Sequence, residues 1–171
     1  MKPTAPAKKR VLILTSQFPY EGGEQFLAPE ALEWDSIDCY RVDYAPQAAF
    51  GALQFKSKGQ VYLRHKSAFL RLVAGIVFFP VKATAFELRS QWVKSPGNLH
   101  RLLVHGLQVG YRIYQMKALP TYDIYYSYWF WVDGLAAAIT AKRNSSLALI
   151  RSHGSDLYEN SPSGYIPFQR Y

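Results

Sequence analysis

Arg10 to Thr15 (RVLILT) is a short, unbroken apolar run, the pattern of a strand covered on both faces as in a parallel sheet. A turn over Ser16 to Gly23 follows, and Glu24 to Trp34 then sets Phe26, Leu27, Ala31 and Leu32 among acids at helical rather than alternating spacing. Asp38 to Tyr44 (DCYRVDY) predicts a second strand, and Val61 to Leu63 a short third one after a loop-rich connection containing Pro46, Gly51 and Gly59. Ser67 is placed to cap a helical region that runs to Phe86 and breaks near Pro80, which lacks the amide hydrogen a helix interior needs. Pro96-Gly97 punctuates the chain, and Leu99 to Leu119 is a further helical stretch that ends at Pro120.

The last third returns to a strict alternation of element types. Asp123 to Tyr128 (DIYYSY) reads as a strand, Asp133 to Lys142 as a helix capped by Asp133, and Leu147 to Arg151 (LALIR) as a buried strand. Strand and helix in repeated succession with short connections predict an α/β fold, a doubly wound domain on a parallel sheet.

At 171 residues, 49% of them apolar, the chain suits one well-cored domain over 10–171 and is too short for two of ordinary size. Residues 1–9, with Pro3, Pro6 and basic side chains, read as a flexible leader. The apolar run Val11 to Leu14 behind it is too short for the core of a secretion signal. The lone Cys39 excludes an internal disulfide and a cysteine-rich zinc site, so a reducing, cytoplasmic compartment is expected.

Charge changes the picture most in the middle of the chain. The net charge is +8, yet residues 56–118 hold eleven Lys and Arg against a single acid, Glu87. Such a concentration calls for an anionic partner. Leu72 to Val81 is apolar throughout but only half the roughly 20 residues that span a bilayer. Two readings remain for this region. Its helices either pack on the sheet with basic outer faces, or lie in a membrane interface with Phe78, Phe79 and Trp92 toward lipid and Lys and Arg toward anionic headgroups.

Ligands of open α/β sheets bind beyond the carboxyl ends of the strands, where Ser16 to Gln25, Tyr128 to Gly134 and Arg151 to Glu159 should converge. Gly22-Gly23 lets backbone approach a bound anion, or is a simple tight turn. His153, after the last strand, is placed to bind a hydroxyl or to stabilise developing charge, while Asp156 suits a helix cap and His65, His100 and His105 fall in the basic segment. Tyr125 to Trp131 (YYSYWFW) packs six aromatics into seven residues, with Tyr128, Trp129 and Trp131 candidates either for the core or for stacking on a sugar ring.

Three stretches resemble family-4 glycosyltransferases, especially those of exopolysaccharide and lipopolysaccharide assembly. They are PYEGGEQFLAPE (Pro19 to Glu30), YDIYYSYWFWVDGLAAA (Tyr122 to Ala138) and RSHGSDLYENSPSGYIPF (Arg151 to Phe168). The resemblance implies the first, acceptor-side half of a GT-B fold, a Rossmann-like domain facing a cleft. It also implies metal-independent transfer with retention from a nucleotide-sugar to a glycan or lipid-linked acceptor, with no cofactor. Gly22, Gly23 and Arg151 would lie against the donor, His153 would line the reacting centre, and Tyr128, Trp129 and Trp131 would meet the acceptor. The family's second domain, with its paired-glutamate element and basic phosphate grip, has no counterpart here, so the first domain is expected to be truncated and this polypeptide alone not to turn over. A peripheral position on the inner face of the cell membrane is the expected setting, and nucleic acid is not an expected partner.

Two rivals stand beside that reading. Asp43, about twenty residues after the glycines, superficially suits a ribose contact in a dinucleotide-binding oxidoreductase, although a third glycine is missing. A basic, aromatic-rich module binding membrane or nucleic acid would explain the charge without any cleft.

Overall fold

The computed structural model describes residues 9–15, 27–32, 37–41, 59–62, 67–89, 93–152, 165, 167 and 168. Their elements run, in chain order, β1 (Val11–Thr15), α1 (Leu27–Leu32), β2 (Ile37–Arg41), β3 (Gly59–Tyr62), α2 (Ala68–Val77), α3 (Val81–Arg89), α4 (Pro96–Lys117), β4 (Ile124–Ser127), α5 (Val132–Arg143) and β5 (Leu147–Ile150). The strands form one parallel sheet in the order β3-β2-β1-β4-β5. Val11 stands between Ile37 on one side and Ile124 on the other, so the chain builds outward from β1 first in one direction and then in the opposite one. This is an α/β fold whose strand order reverses between β1 and β4.

The apolar run of β1 is explained by its central place. All five of its residues are buried, with alternate side chains serving opposite faces. Leu12 and Leu14 join Tyr125, Leu102, Val109, Ile113 and the alanines of α5 on one face. Val11 and Ile13 join Leu27 of α1 with Ile124, Tyr126 and Tyr128 on the other. Helices therefore cover both faces, α4 and α5 one of them and α1 the other.

Local chemistry sets the helix ends. The Ser67 hydroxyl accepts from the amide of Leu70 at 3.3 Å and opens α2. Pro80 sits in the break between α2 and α3, whose axes bend by 72°. Pro96 and Gly97 do not punctuate. They form the first turn of α4, where proline's missing amide costs nothing, and the Ser95 hydroxyl caps them by accepting from Asn98 at 3.1 Å.

Two further expectations change. Asp133 does not cap α5; the cap position is Trp131, which makes no side-chain capping bond, and Asp133 lies inside the first turn with its carboxylate turned to α4. β5 is not buried, since among the described residues it has a neighbour only on its β4 side, and Leu147, Leu149 and Ile150 are all exposed. An edge position explains why an apolar run here fails to reach the interior.

In the middle of the chain α2 packs against α4 through unusually small residues. A Cβ placed on Gly110 would stand 2.3 Å from the Gly75 carbonyl oxygen, and one on Gly75 would stand 2.7 Å from that of Leu107. Backbone meets backbone, and Phe79 fills the space left by Gly106. The single acid of this region, Glu87, is buried and accepts a hydrogen bond of 2.7 Å from the Tyr165 hydroxyl, whose pKa is raised by burial and by the carboxylate.

Candidate functional site at the carboxyl edge of the sheet

The hydrogen-bond ladder continues one residue past the strands, with the Tyr128 amide donating to the Leu14 carbonyl at 3.1 Å and the Arg151 amide to that of Ser127 at 3.0 Å. This continuation fixes where the following side chains emerge. By strand alternation Tyr126, Tyr128 and Arg151 share the face covered by α1. There the Arg151 guanidinium meets the Glu30 carboxylate at 3.0 Å and lies 5.1 Å from the centre of the Tyr128 ring.

The Tyr126 hydroxyl completes the cluster through hydrogen bonds with Glu30 and Arg151. Burial, followed by that contact with Glu30, pushes its pKa up to about 12. Arg151 is likewise raised, chiefly by its hydrogen bond with Tyr126. The ion pair is part-exposed, so it adds little stability. Its effect is to pin α1 to the ends of β4 and β5.

On the opposite face the Ser127 hydroxyl donates to the Trp129 carbonyl at 2.6 Å, tightening the turn that leads to α5. The turn is also held close by Gly134, because a Cβ there would come within 3.1 Å of both the Trp129 carbonyl and Ile150. Arg112 of α4 then donates to Asp133 at 2.9 Å and to Gln115 at 2.9 Å. Beside this pair lies an open hollow of about 520 Å³ between α2, α4 and the start of α5. Leu72, Leu107 and Val132 supply its apolar wall and Arg71, Arg112 and Asp133 its charges. The hydroxyl of Tyr111, another lining residue, is buried without a hydrogen-bond partner among the described residues.

The candidate residues separate accordingly. Arg151 reaches the carboxyl edge, already paired with Glu30. Trp131 is half exposed directly before Val132 and Asp133 of the hollow, and Trp129 is half-buried, edge-on to Tyr128 at 5.5 Å between ring centres. Tyr128, expected to meet an acceptor, is only 1% exposed and belongs to the core, because Trp129 and Arg151 close over it. Gly22, Gly23, Asp43, His65, Trp92, His153 and Asp156 lie outside the described residues. Among the described residues no three His, Cys, Asp or Glu side chains come together as metal ligands.

Sequence reasoning missed Glu30, Tyr126, Arg112 and Tyr111. Strand parity was the available signal for the first two, since it puts residues 126, 128 and 151 on one face, where the nearest acid must come from the covering helix. Compared with models of protein families, with curated proteins and with solved structures, the chain matches none.

Proposed function

We propose that this chain is the acceptor-side, Rossmann-like domain of a retaining GT-B glycosyltransferase, which moves a sugar from a nucleotide-sugar to a lipid-linked or polysaccharide acceptor. The observation that carries the reading is the Glu30, Tyr126, Tyr128 and Arg151 cluster. Each of the three stretches that resemble family-4 enzymes contributes to it, and they do so at the carboxyl edge beside the reversal in strand order, where α/β sheets bind their ligands.

In this reading the donor phosphates approach the edge from the β1 side, near Gly22 and Gly23, while Arg151 exchanges part of its contact with Glu30 for the leaving diphosphate. A donor amide, the guanidinium and His153 would stabilise charge that grows as the anomeric carbon is released, and rate would come from fitting that state better than the bound substrate. The acceptor would enter by Trp131 and the adjoining hollow, whose apolar wall, with Arg71 beside the Arg112–Asp133 pair, suits a sugar on a phosphorylated lipid. Catalysis belongs to the complete two-domain enzyme, with most of the donor grip in the other half.

Titration of the isolated chain, followed by tryptophan fluorescence, tests this. Short glycans or glycolipid head analogues should perturb the signal, Trp131→Ala should remove most of the change, and no sugar should be transferred. Micromolar binding of a nicotinamide dinucleotide with no response to any glycan would overturn the reading in favour of an oxidoreductase. Measurable turnover by the chain alone would overturn the division of labour between the two domains.

A further inference from the structure

α2 is built with its small residues inward and its large ones outward. Ala74 and Gly75 are buried against α4, whereas Phe69, Leu72, Val73 and Ile76, at i, i+3, i+4 and i+7, form an apolar stripe that faces solvent. Phe69 is 76% exposed and Val77, beside the stripe, 69%. A helix that served only the core would point this stripe at α4. Here Gly75 and Gly110 bring the two backbones together instead, the small-residue packing used where large side chains are kept for a lipid environment.

The exposed charges of α2 to α4 have one sign, and the one carboxylate that α5 brings beside Leu72, Asp133, is paired with Arg112. Arg71, Lys82, Arg89, Lys94, Arg101 and Lys117 are exposed on α2 to α4 and the segment between, and the only acid there, Glu87, is buried. From residue 67 to residue 117 the surface therefore offers cations and no carboxylate. Among the described residues no single helix is long and apolar enough to span a membrane; α2 and α3 reach that length and apolarity only together, as a pair bent by 72°, and the ten residues of α2 alone reach about 15 Å, half the hydrocarbon thickness.

We propose that the outer face of α2, with the bend into α3, docks in the plane of an anionic lipid bilayer, the stripe entering the boundary between headgroups and acyl chains and the cations meeting lipid phosphates. Charge complementarity selects this occupant. A nucleic acid would meet an apolar stripe at the centre of the contact, and a second copy would bring its own cations against these. The inference does not rest on sugar transfer, because a domain inactive in every transfer assay would still carry this surface.

The test uses the whole chain and sedimentation with vesicles of phosphatidylcholine alone or with three parts in ten phosphatidylglycerol. Binding should favour the anionic vesicles and weaken in high salt. Removing two cations in Lys82→Gln/Arg89→Gln should lower affinity for them by roughly tenfold or more. Ile76→Asp/Val77→Asp should remove binding to both vesicles while leaving the circular dichroism spectrum unchanged, since both side chains are exposed in the free protein. No binding to anionic vesicles, or equal binding by the wild type and the Ile76→Asp/Val77→Asp variant, overturns the proposal. So does a dimer in vesicle-free buffer that Ile76→Asp dissolves, because the stripe would then belong to a second copy.

Discussion

β1 and α2 are both apolar runs of similar hydrophobicity to the eye, and the fold treats them in opposite ways. β1 lies between β2 and β4 with helices over both faces, and every side chain is buried. α2 touches the rest of the protein mainly along α4, and only Ala74 and Gly75 are buried. An apolar run is thus interior only when enough neighbours surround it. The second run remains available for something outside the chain, and the two regions should respond very differently to the same kind of substitution.

The largest difference is expected from Leu14→Ala, which removes a buried side chain from the main core and should cost about 3 kcal/mol in chemical denaturation. A loss below a quarter of that would mean β1 is less enclosed than its neighbours imply. Next comes Gly110→Ala. Its new methyl would be forced against the Gly75 carbonyl oxygen, and separation of α2 from α4 should cost about 2 kcal/mol despite alanine's better helix propensity. Unchanged stability would show that α2 rides loosely on α4.

A smaller effect is expected from the edge cluster under alkali. Folded Tyr126 keeps its proton to about pH 12, whereas in the unfolded chain it is released near 10. Between those values the unfolded state binds fewer protons, so stability falls as pH rises through that window and is fully present below it. Tyr126→Phe should flatten this slope relative to the wild type, and equal slopes would remove Tyr126 from the account. The smallest effect should follow Phe69→Ser on the exposed stripe, within about 0.5 kcal/mol in buffer. A greater loss would mean that the stripe contributes to the fold itself and would blur its contrast with β1.

Much of this architecture can be read from periodicity. β1, the α2 cap at Ser67, the break at Pro80 and the β4-α5-β5 succession follow from patterns a few residues long. What could not be read depends on distant partners. Asp133 looks like a cap until Arg112, 21 residues earlier, takes its carboxylate. Arg151 looks available until Glu30, 121 residues away, is folded against it. Tyr128 and Trp131, three positions apart in one aromatic cluster, end in the core and at the surface because the hydrogen-bond ladder that β4 begins makes its last bond at the Tyr128 amide. Pro96-Gly97 misled because the pair that ends one helix equally well begins another, and only Ser95 distinguishes the two.

The exposed edge of β5 has a practical consequence for anyone handling the protein. Leu147 to Ile150 presents a short apolar strand with an unpaired flank among the described residues and no lysine, proline or bulge within it to discourage a second strand from adding. Strand addition at this edge is therefore a route to self-association that the like charges of the α2 to α4 layer do not guard, and the four-residue length of β5 is what limits it. A single Leu149→Lys, by placing a charge in the middle of the strand, would close that route.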